Sequence, residues 1–338
     1  MRIEDVRERL RSAGAGPRHE TLALRAWVRG LPLDAFAKKA STSFPRSLLA
    51  ELPAIQAELA SLARVRSEHA GEDRSARLVL ELADGQTIES VLLPNDGVCV
   101  SSQAGCAVGC TFCMTGTLGL LRQLGSAEIV AQVSLARSRR TIRRVVFMGM
   151  GEPAHNLENV MEAIELFGTE GALGHKNLVF STVGDRRIFE RLPQGPVKPA
   201  LALSLHTTKA ALRAELLPRA QKFDAAELVE LAQAYSRATT YPIQYQWTLL
   251  EGVNDGDDEL ERLAQLLRGQ YAVVNFILYN KVDGLSHTRT PIERAREIIR
   301  GMLQRGVLAK LRVSAGQDVD GGCGQLRARE LSRIPEGS

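Results

Sequence analysis

The chain has 338 residues, 44% of them hydrophobic, and its 43 Lys and Arg against 39 Asp and Glu give a formal net charge of +4. That length buries a large core and suits one α/β barrel with an appendage or two ordinary domains. No apolar run approaches the roughly eighteen residues of a membrane span, the N-terminus MRIEDVRERLRSAG has no apolar h-region, and five cysteines do not make a secreted disulfide framework. A cytoplasmic enzyme with reduced thiols is the expectation.

From Arg2 to about Arg66 the pattern is helical, with Ile3, Val6 and Leu10 at i, i+3, i+7, Leu22 and Ala26 at i, i+4, and Pro32, Pro45 and Pro53 dividing it into small helices. This stretch is basic: residues 1–46 carry ten Arg or Lys, among them Lys38 and Lys39, against five acids, a local net of +5. Arg77 to Pro94 alternates in period two around Asp84-Gly85 and reads as a β-hairpin, with Glu89 on its second strand, ordinarily a solvent-facing position. After Val98 the chain alternates strand and helix as parallel βα units do. Strands are expected at 98–102, 144–148, 178–182, 198–205, 245–250, 273–279 and 310–313. Helices are expected at 126–137, with Ser126 as N-cap, and at 156–167, 225–237, 257–267 and 291–305. A second basic knot, Arg137, Arg139, Arg140, Arg143 and Arg144, joins the first of these helices to the next strand. Such patches suit phosphate, or are a solvated basic surface.

Six or seven parallel strands with outer helices make a full or partly open barrel, whose chemistry gathers at the C-terminal ends of its strands. The notable residues fall there. CAVGCTFC, from Cys106 to Cys113, spaces three cysteines x3 then x2 before a stretch of helical periodicity. Three thiolates can converge on one iron-sulfur cube and leave its fourth iron without a protein ligand, whereas electron-transfer clusters and structural zinc normally take four ligands. A zinc knuckle with a distant ligand, or plain packing, is the alternative. MGMGEP, with Gly149, Gly151 and Glu152, is a glycine-rich strand exit that lets backbone approach a ligand, or a tight turn only. His206 and Asn280 follow strands, as structural residues often do. Cys323 sits among glycines in DVDGGCGQL, the setting of a mobile, reactive thiol, while Cys99 is equally well a buried structural one.

The CxxxCxxC loop followed by MGMGEP, SLH, GVND and terminal CGQL resembles the radical S-adenosylmethionine (SAM) methyltransferases of RNA adenine, the family of RlmN and Cfr. The similarity runs from about Arg18 to Leu326. It implies a partly open (βα) barrel of the radical SAM type: a helical, basic, RNA-contacting accessory domain at 1–70, a β-hairpin linker at 71–98, the barrel at 99–315, and a C-terminal segment at 316–338 with the methyl-accepting cysteine. It further implies a [4Fe-4S] cluster on Cys106, Cys110 and Cys113 with SAM on the fourth iron, and SAM contacts at Gly151, Glu152, Ser181, Ser204, Leu205, His206 and Asn280. By the same resemblance Cys323 takes a methyl from one SAM, a 5′-deoxyadenosyl radical from a second draws hydrogen from it, and the carbon radical adds to the base. Glu89 matches the position of the ring-proton base, and Cys99 that of the cysteine that resolves the adduct through a transient disulfide with Cys323. The implied partners are 23S rRNA and some tRNAs, with flavodoxin or ferredoxin as electron donor; a monomer without membrane contact is expected.

The sequence departs from the commoner family pattern in GGCGQL, in STVGDRR with Asp185, Arg186 and Arg187, and in YNKVDG with Lys281 after Asn280. These leave the chemistry in place and bear on which RNA is modified. Methylation of adenine carbon 8 or of another RNA is the alternative within the same chemistry, and a metal-stapled RNA-binding protein the alternative outside it.

Overall fold

A computed structural model describes residues 1–37, 43–117, 119–282 and 284–327. Lys38 and Lys39 lie outside the described residues, as does the end of the expected 316–338 segment from residue 328 on.

Three helices open the chain: α1 (Ile3–Ser12), α2 (Pro17–Val28) and α3 (Arg46–Ser61). The expected break at Pro53 does not occur. Pro53 is exposed inside α3, while Leu48, Leu52, Ile55 and Leu59 carry the buried stripe through it. Apolar periodicity thus outweighs the roughly 3 kcal/mol that proline costs a helix interior. Helix also stops earlier than expected, because residues Arg64–Ala70 form strand β1, paired antiparallel with β2 (Ala76–Glu81). β2 pairs with β3 (Thr87–Leu93) through a turn where Gly85 has φ +80°, which forms the expected hairpin.

β3 pairs antiparallel with the short strand β4 (Gly97–Cys99). The next expected stretch of helix, after the cysteines, is instead a two-stranded ribbon of β5 (Gln103–Gly105) and β6 (Leu120–Gln123) flanking a 3₁₀ turn at Met114–Gly116. Helix α4 (Ser126–Arg139) is capped by Gly125, not by Ser126. The Ser126 hydroxyl accepts Ile3 N–H at 2.8 Å and donates to Glu162 at 2.7 Å, so it ties the chain start to the barrel.

The βα units continue with β7 (Arg144–Phe147), α5 (Leu157–Gly168), β8 (Leu178–Thr182), α6 (Arg186–Arg191), β9 (Ala200–Ser204), α7 (Ala210–Leu216) and α8 (Ala225–Thr239). They end with β10 (Ile243–Leu249), α9 (Asp257–Leu267), β11 (Ala272–Leu278), α10 (Ile292–Gln304) and β12 (Ala309–Arg312). The ten-stranded sheet runs β1-β2-β3-β4-β7-β8-β9-β10-β11-β12 and is not closed. Its pairs from β4 to β12 are all parallel, as right-handed βα units dictate. Phe147, Phe167, Phe180, Trp247 and Phe276 fill one core that also includes Ile3, Trp27 and Leu48, so the helical module packs on the barrel wall. Among the described residues no helix is long and apolar enough to cross a membrane.

Candidate active site

The C-terminal ends of the parallel strands surround one cavity. It is lined by Cys106, Cys110 and Cys113, by Gly149, Gly151 and Glu152 after β7, by Ser181 at the end of β8 and by Ser204 and His206 at β9. Asn280 after β11 and Cys323 complete this part of the wall. Three of the expected site residues lie outside it. Leu205 is fully buried and offers only backbone, its carbonyl taken by Arg213 at 2.6 Å. Cys99 ends β4, buried, and Cys323 lies near enough to add to the rise that burial gives its pKa. Glu89 lies behind the C-terminal segment.

The cysteine loop is shaped by turns and by contacts from both sides. Cys106 N–H donates to Gly119 O at 2.9 Å, Cys113 N–H to Cys110 O at 3.1 Å and Thr111 N–H to Leu216 O at 3.0 Å. Val108, Phe112, Val183, Leu216, Leu217, Leu250 and Tyr279 pack around it as a second, smaller apolar cluster. This wrapping pushes the Cys106 thiol up to about 12. It raises Cys110 well above its ordinary value, through burial first and the neighbouring thiols second, and burial raises Cys113 too, against hydrogen bonds from Thr115 and Gly116. Three sulfurs on one wall of the cavity are the donor set that an iron–sulfur core takes as thiolates, and a bound metal core deprotonates such ligands. Among the described residues no group of three or more His, Cys, Asp or Glu, these cysteines included, is already arranged to hold an ion.

Gly151 has φ +101°, and a methyl group on it would meet Gln103 side-chain carbons at 2.6 Å, so only glycine keeps this strand exit against the cavity. Glu152 is buried; its carboxylate accepts Ala154 N–H at 3.0 Å and Val183 N–H at 2.9 Å, while burial raises its affinity for a proton. His206 accepts Thr248 N–H through Nδ1 at 3.0 Å. Burial, with Arg213 adding, pushes its pKa down to about 3, so the ring is neutral and its proton resides on Nε2. Asn280 Nδ2 donates to Ser314 Oγ at 3.1 Å and to the Cys323 carbonyl at 3.0 Å, and its Oδ1 is buried without a partner.

The C-terminal segment is strapped across this rim. Met114 N–H donates to Gly324 O at 2.8 Å, the Thr115 hydroxyl to Leu326 O at 2.7 Å, Gly316 N–H to Asp73 at 3.0 Å and Glu72 N–H to Asp318 at 2.9 Å. Arg327 N–H donates to Glu89 at 2.9 Å. Glu89, expected to face solvent, is instead fully buried and paired with Arg77 at 2.5 Å, because the segment covers that face of the hairpin.

Several residues that shape the site carry no expected role. Arg213 is buried on α7 and braces the carbonyls of Ser204 at 3.0 Å, Leu205 and Val183, clamping the ends of β8 and β9. Arg312 and Gln246 reach the cavity from β12 and β10 and bond each other at 3.2 Å. Asn254, in the GVND motif, donates to His206 O at 2.7 Å and Thr248 O at 2.8 Å and accepts Leu250 N–H at 2.8 Å. The motif flagged Asn254; nothing in local sequence flags Arg213. Asn254→Ala leaves three buried backbone groups without partners and is expected to cost about 2–4 kcal/mol. Urea unfolding measures that loss, and no change in midpoint refutes it.

The basic knot after α4 is divided between loop carbonyls and a solvated surface, on which Arg139, Arg143 and Arg144 are exposed. Arg137 donates to Val28 O at 3.0 Å, Arg140 to Arg74 O at 3.0 Å and Leu93 O at 2.9 Å, while Arg139 pairs with Glu68 and Arg143 with Asp96. In the N-terminal module Arg2, Arg7, Arg9, Arg11 and Arg25 pair with carboxylates. Arg18 and Arg46 are exposed. At the departure Asp185-Arg186-Arg187, Asp185 caps α6 through Arg187 N–H at 2.9 Å and pairs with the Arg187 guanidinium, and Arg186 pairs with Glu227. These charges satisfy one another.

Three cysteines on a loop after the first parallel strand of an unclosed barrel, with a glycine-rich exit after the second, define a class, and the sequence model of the Radical SAM superfamily matches residues 100–267. A probable RNA methyltransferase of Aromatoleum aromaticum is 68% identical over 98% of this chain and 94% of its own. A probable RNA methyltransferase of Leptothrix cholodnii is 65% identical over 98% and 96%. A crystal structure of a radical SAM methyltransferase from Sphaerobacter thermophilus superposes with a TM-score of 0.83 at 33% identity, covering 97% of this chain and 98% of that one. The chain belongs to the radical SAM RNA methyltransferases, and the family implies a [4Fe-4S] cluster and SAM as cofactors.

Proposed function

We propose that the chain methylates carbon 2 of an adenine in RNA, 23S rRNA foremost and tRNA besides, by way of a methyl group carried on Cys323. The observation that supports this most is the common cavity, in which Cys323 faces Cys106, Cys110 and Cys113. Those three cysteines would hold the cluster, which with SAM supplies the one-electron chemistry that takes hydrogen from an S-methyl group. Gly151, Glu152, Ser181, Ser204, His206 and Asn280 would hold SAM. Glycine gives backbone approach, the neutral His206 presents an N–H, and Asn280 has an unspent carbonyl oxygen.

Carbon 2 of adenine is flanked by two ring nitrogens and is electron-poor, so it is no nucleophile toward a sulfonium methyl. A carbon radical tethered at Cys323 adds to it instead. Glu89 then removes the ring proton, and the odd electron of the adduct would pass to the one-electron centre that the cluster supplies when bound. Cys99 thiolate attacks the Cys323 sulfur, the sulfur–carbon bond breaks, the released carbon takes up a proton to become methyl, and the two cysteines end as a disulfide. A target base stacked in a helix has to flip to reach the strand ends. The helical N-terminal module would contact RNA through Arg18, Arg46 and arginines shared with their carboxylates. An acidic electron carrier such as flavodoxin or ferredoxin is the proposed reductant.

Anaerobic reconstitution with iron and sulfide tests this directly. Four iron per chain, 5′-deoxyadenosine release and 2-methyladenosine in digested 23S rRNA are expected. Only 8-methyladenosine moves the reaction to carbon 8, and a chain that takes up zinc and leaves SAM intact is no enzyme of this kind.

A further inference from the structure

Arg77 and Glu89 sit diagonally across the β2–β3 pair, where Val79 opposes Glu89 and Val91 opposes Arg77, so both project from one face of the hairpin. The two side chains are 9% and 0% exposed. Arg77 Nη1 donates to Glu89 Oε1 at 2.5 Å, and Oε2 accepts the N–H of Arg327, just past Cys323. A methyl built on Gly321 would lie 3.5 Å from Arg77 Cβ, which puts the pair directly under the segment that carries the reactive sulfur. Burying two charges is costly, and an apolar pair would hold a hairpin equally well. Among the described residues Arg77 Nε is buried with no partner, and Nη1 makes the guanidinium's contact to the carboxylate.

We propose that Arg77 is a positioning residue that holds the Glu89 carboxylate at the flank of Cys323 for removal of the ring proton. This rests on Glu89 being the base, as read above. In that step the ring C–H bond breaks, its electron pair stays in the ring, the odd electron of the adduct would go to the one-electron centre that the cluster supplies when bound, and Glu89 leaves as the carboxylic acid. Arg77 takes part in no bond change. The Arg327 amide occupies Oε2 while the strap is down, so the oxygen that accepts the proton is freed when the segment shifts with its bound base.

The test compares full-length, cluster-loaded Arg77→Met, Arg77→Lys and Glu89→Gln given RNA, SAM and dithionite. Arg77→Met is expected to carry the Cys323 methyl at the wild-type level by peptide mass, to accumulate a protein–RNA adduct on denaturing gels, and to form product at least about tenfold more slowly. Arg77→Lys restores turnover, because a contact to one oxygen needs only a point charge. Should Arg77→Met fail to fold, Arg77→Gln serves in the same comparison. If Glu89→Gln traps adduct while Arg77→Met turns over within twofold of wild type, the role of Arg77 is overturned and the base assignment stands. Equal trapping by the lysine and methionine variants also overturns it. If Glu89→Gln methylates RNA freely, the base assignment fails and takes this inference with it.

Discussion

Cys323→Ala is expected to lower RNA methylation by about a thousand-fold or more, the scale on which enzymes lose activity when a covalent nucleophile is removed. The fold around it is expected to stay. The strap that carries Cys323 is held through backbone and neighbouring side chains: Asn280 takes its carbonyl, Met114 the Gly324 carbonyl and Thr115 the Leu326 carbonyl. None of these bonds uses sulfur. Loss of activity therefore reports the missing thiol, and iron content and SAM binding serve as controls. Quantifying methylated adenosine by mass spectrometry decides the matter, since methylation near the wild-type level in the alanine variant removes the carrier role of Cys323.

Cys99→Ala is expected to stop the reaction after one turnover and leave protein covalently attached to RNA. The sulfur that would resolve this adduct is poorly disposed to ionise. Burial foremost, with Cys323 beside it, pushes the Cys99 thiol up to about 12, against the pull of the Met148 backbone and Arg312. The thiolate is the attacking species. Below that value its fraction grows about tenfold per pH unit, so in the wild-type protein release of RNA from the adduct is expected to quicken steeply as pH rises from about 7 to 9. A release rate that is flat over this range shows that the segment's movement, and not thiol ionisation, limits resolution.

Long apolar runs and helical periodicity made much of the barrel legible in sequence, although the cap expected at Ser126 fell on Gly125. LVFST at β8 and the acidic first turn of α9 fall at the expected residues. The short α6 and α7 escaped because six or seven residues carry too little periodicity. β6 escaped because its order comes from pairing with β5, a partner on the far side of the cysteine loop. Residues lining the cavity were legible where strand ends converge, which follows from topology alone. Glu89 was legible as a position and not as an environment: period-two alternation shows which residues share a face, but not that a segment more than 200 residues later covers it. The same holds for Arg213, an ordinary helical arginine until packing sets it against three carbonyls. The arginine knot shows the converse, since charge clustering in sequence did not foretell that Arg137 and Arg140 would be spent on loop carbonyls.

An incomplete barrel has a consequence of its own. Had the wall closed on itself, β4 would have no vacant margin; because it does not, β3 docks there and the hairpin with Glu89 joins as an annex to the outermost parallel strand. On the proposed reading, the cysteine loop and the hairpin carboxylate thereby reside on separately editable parts of one continuous sheet.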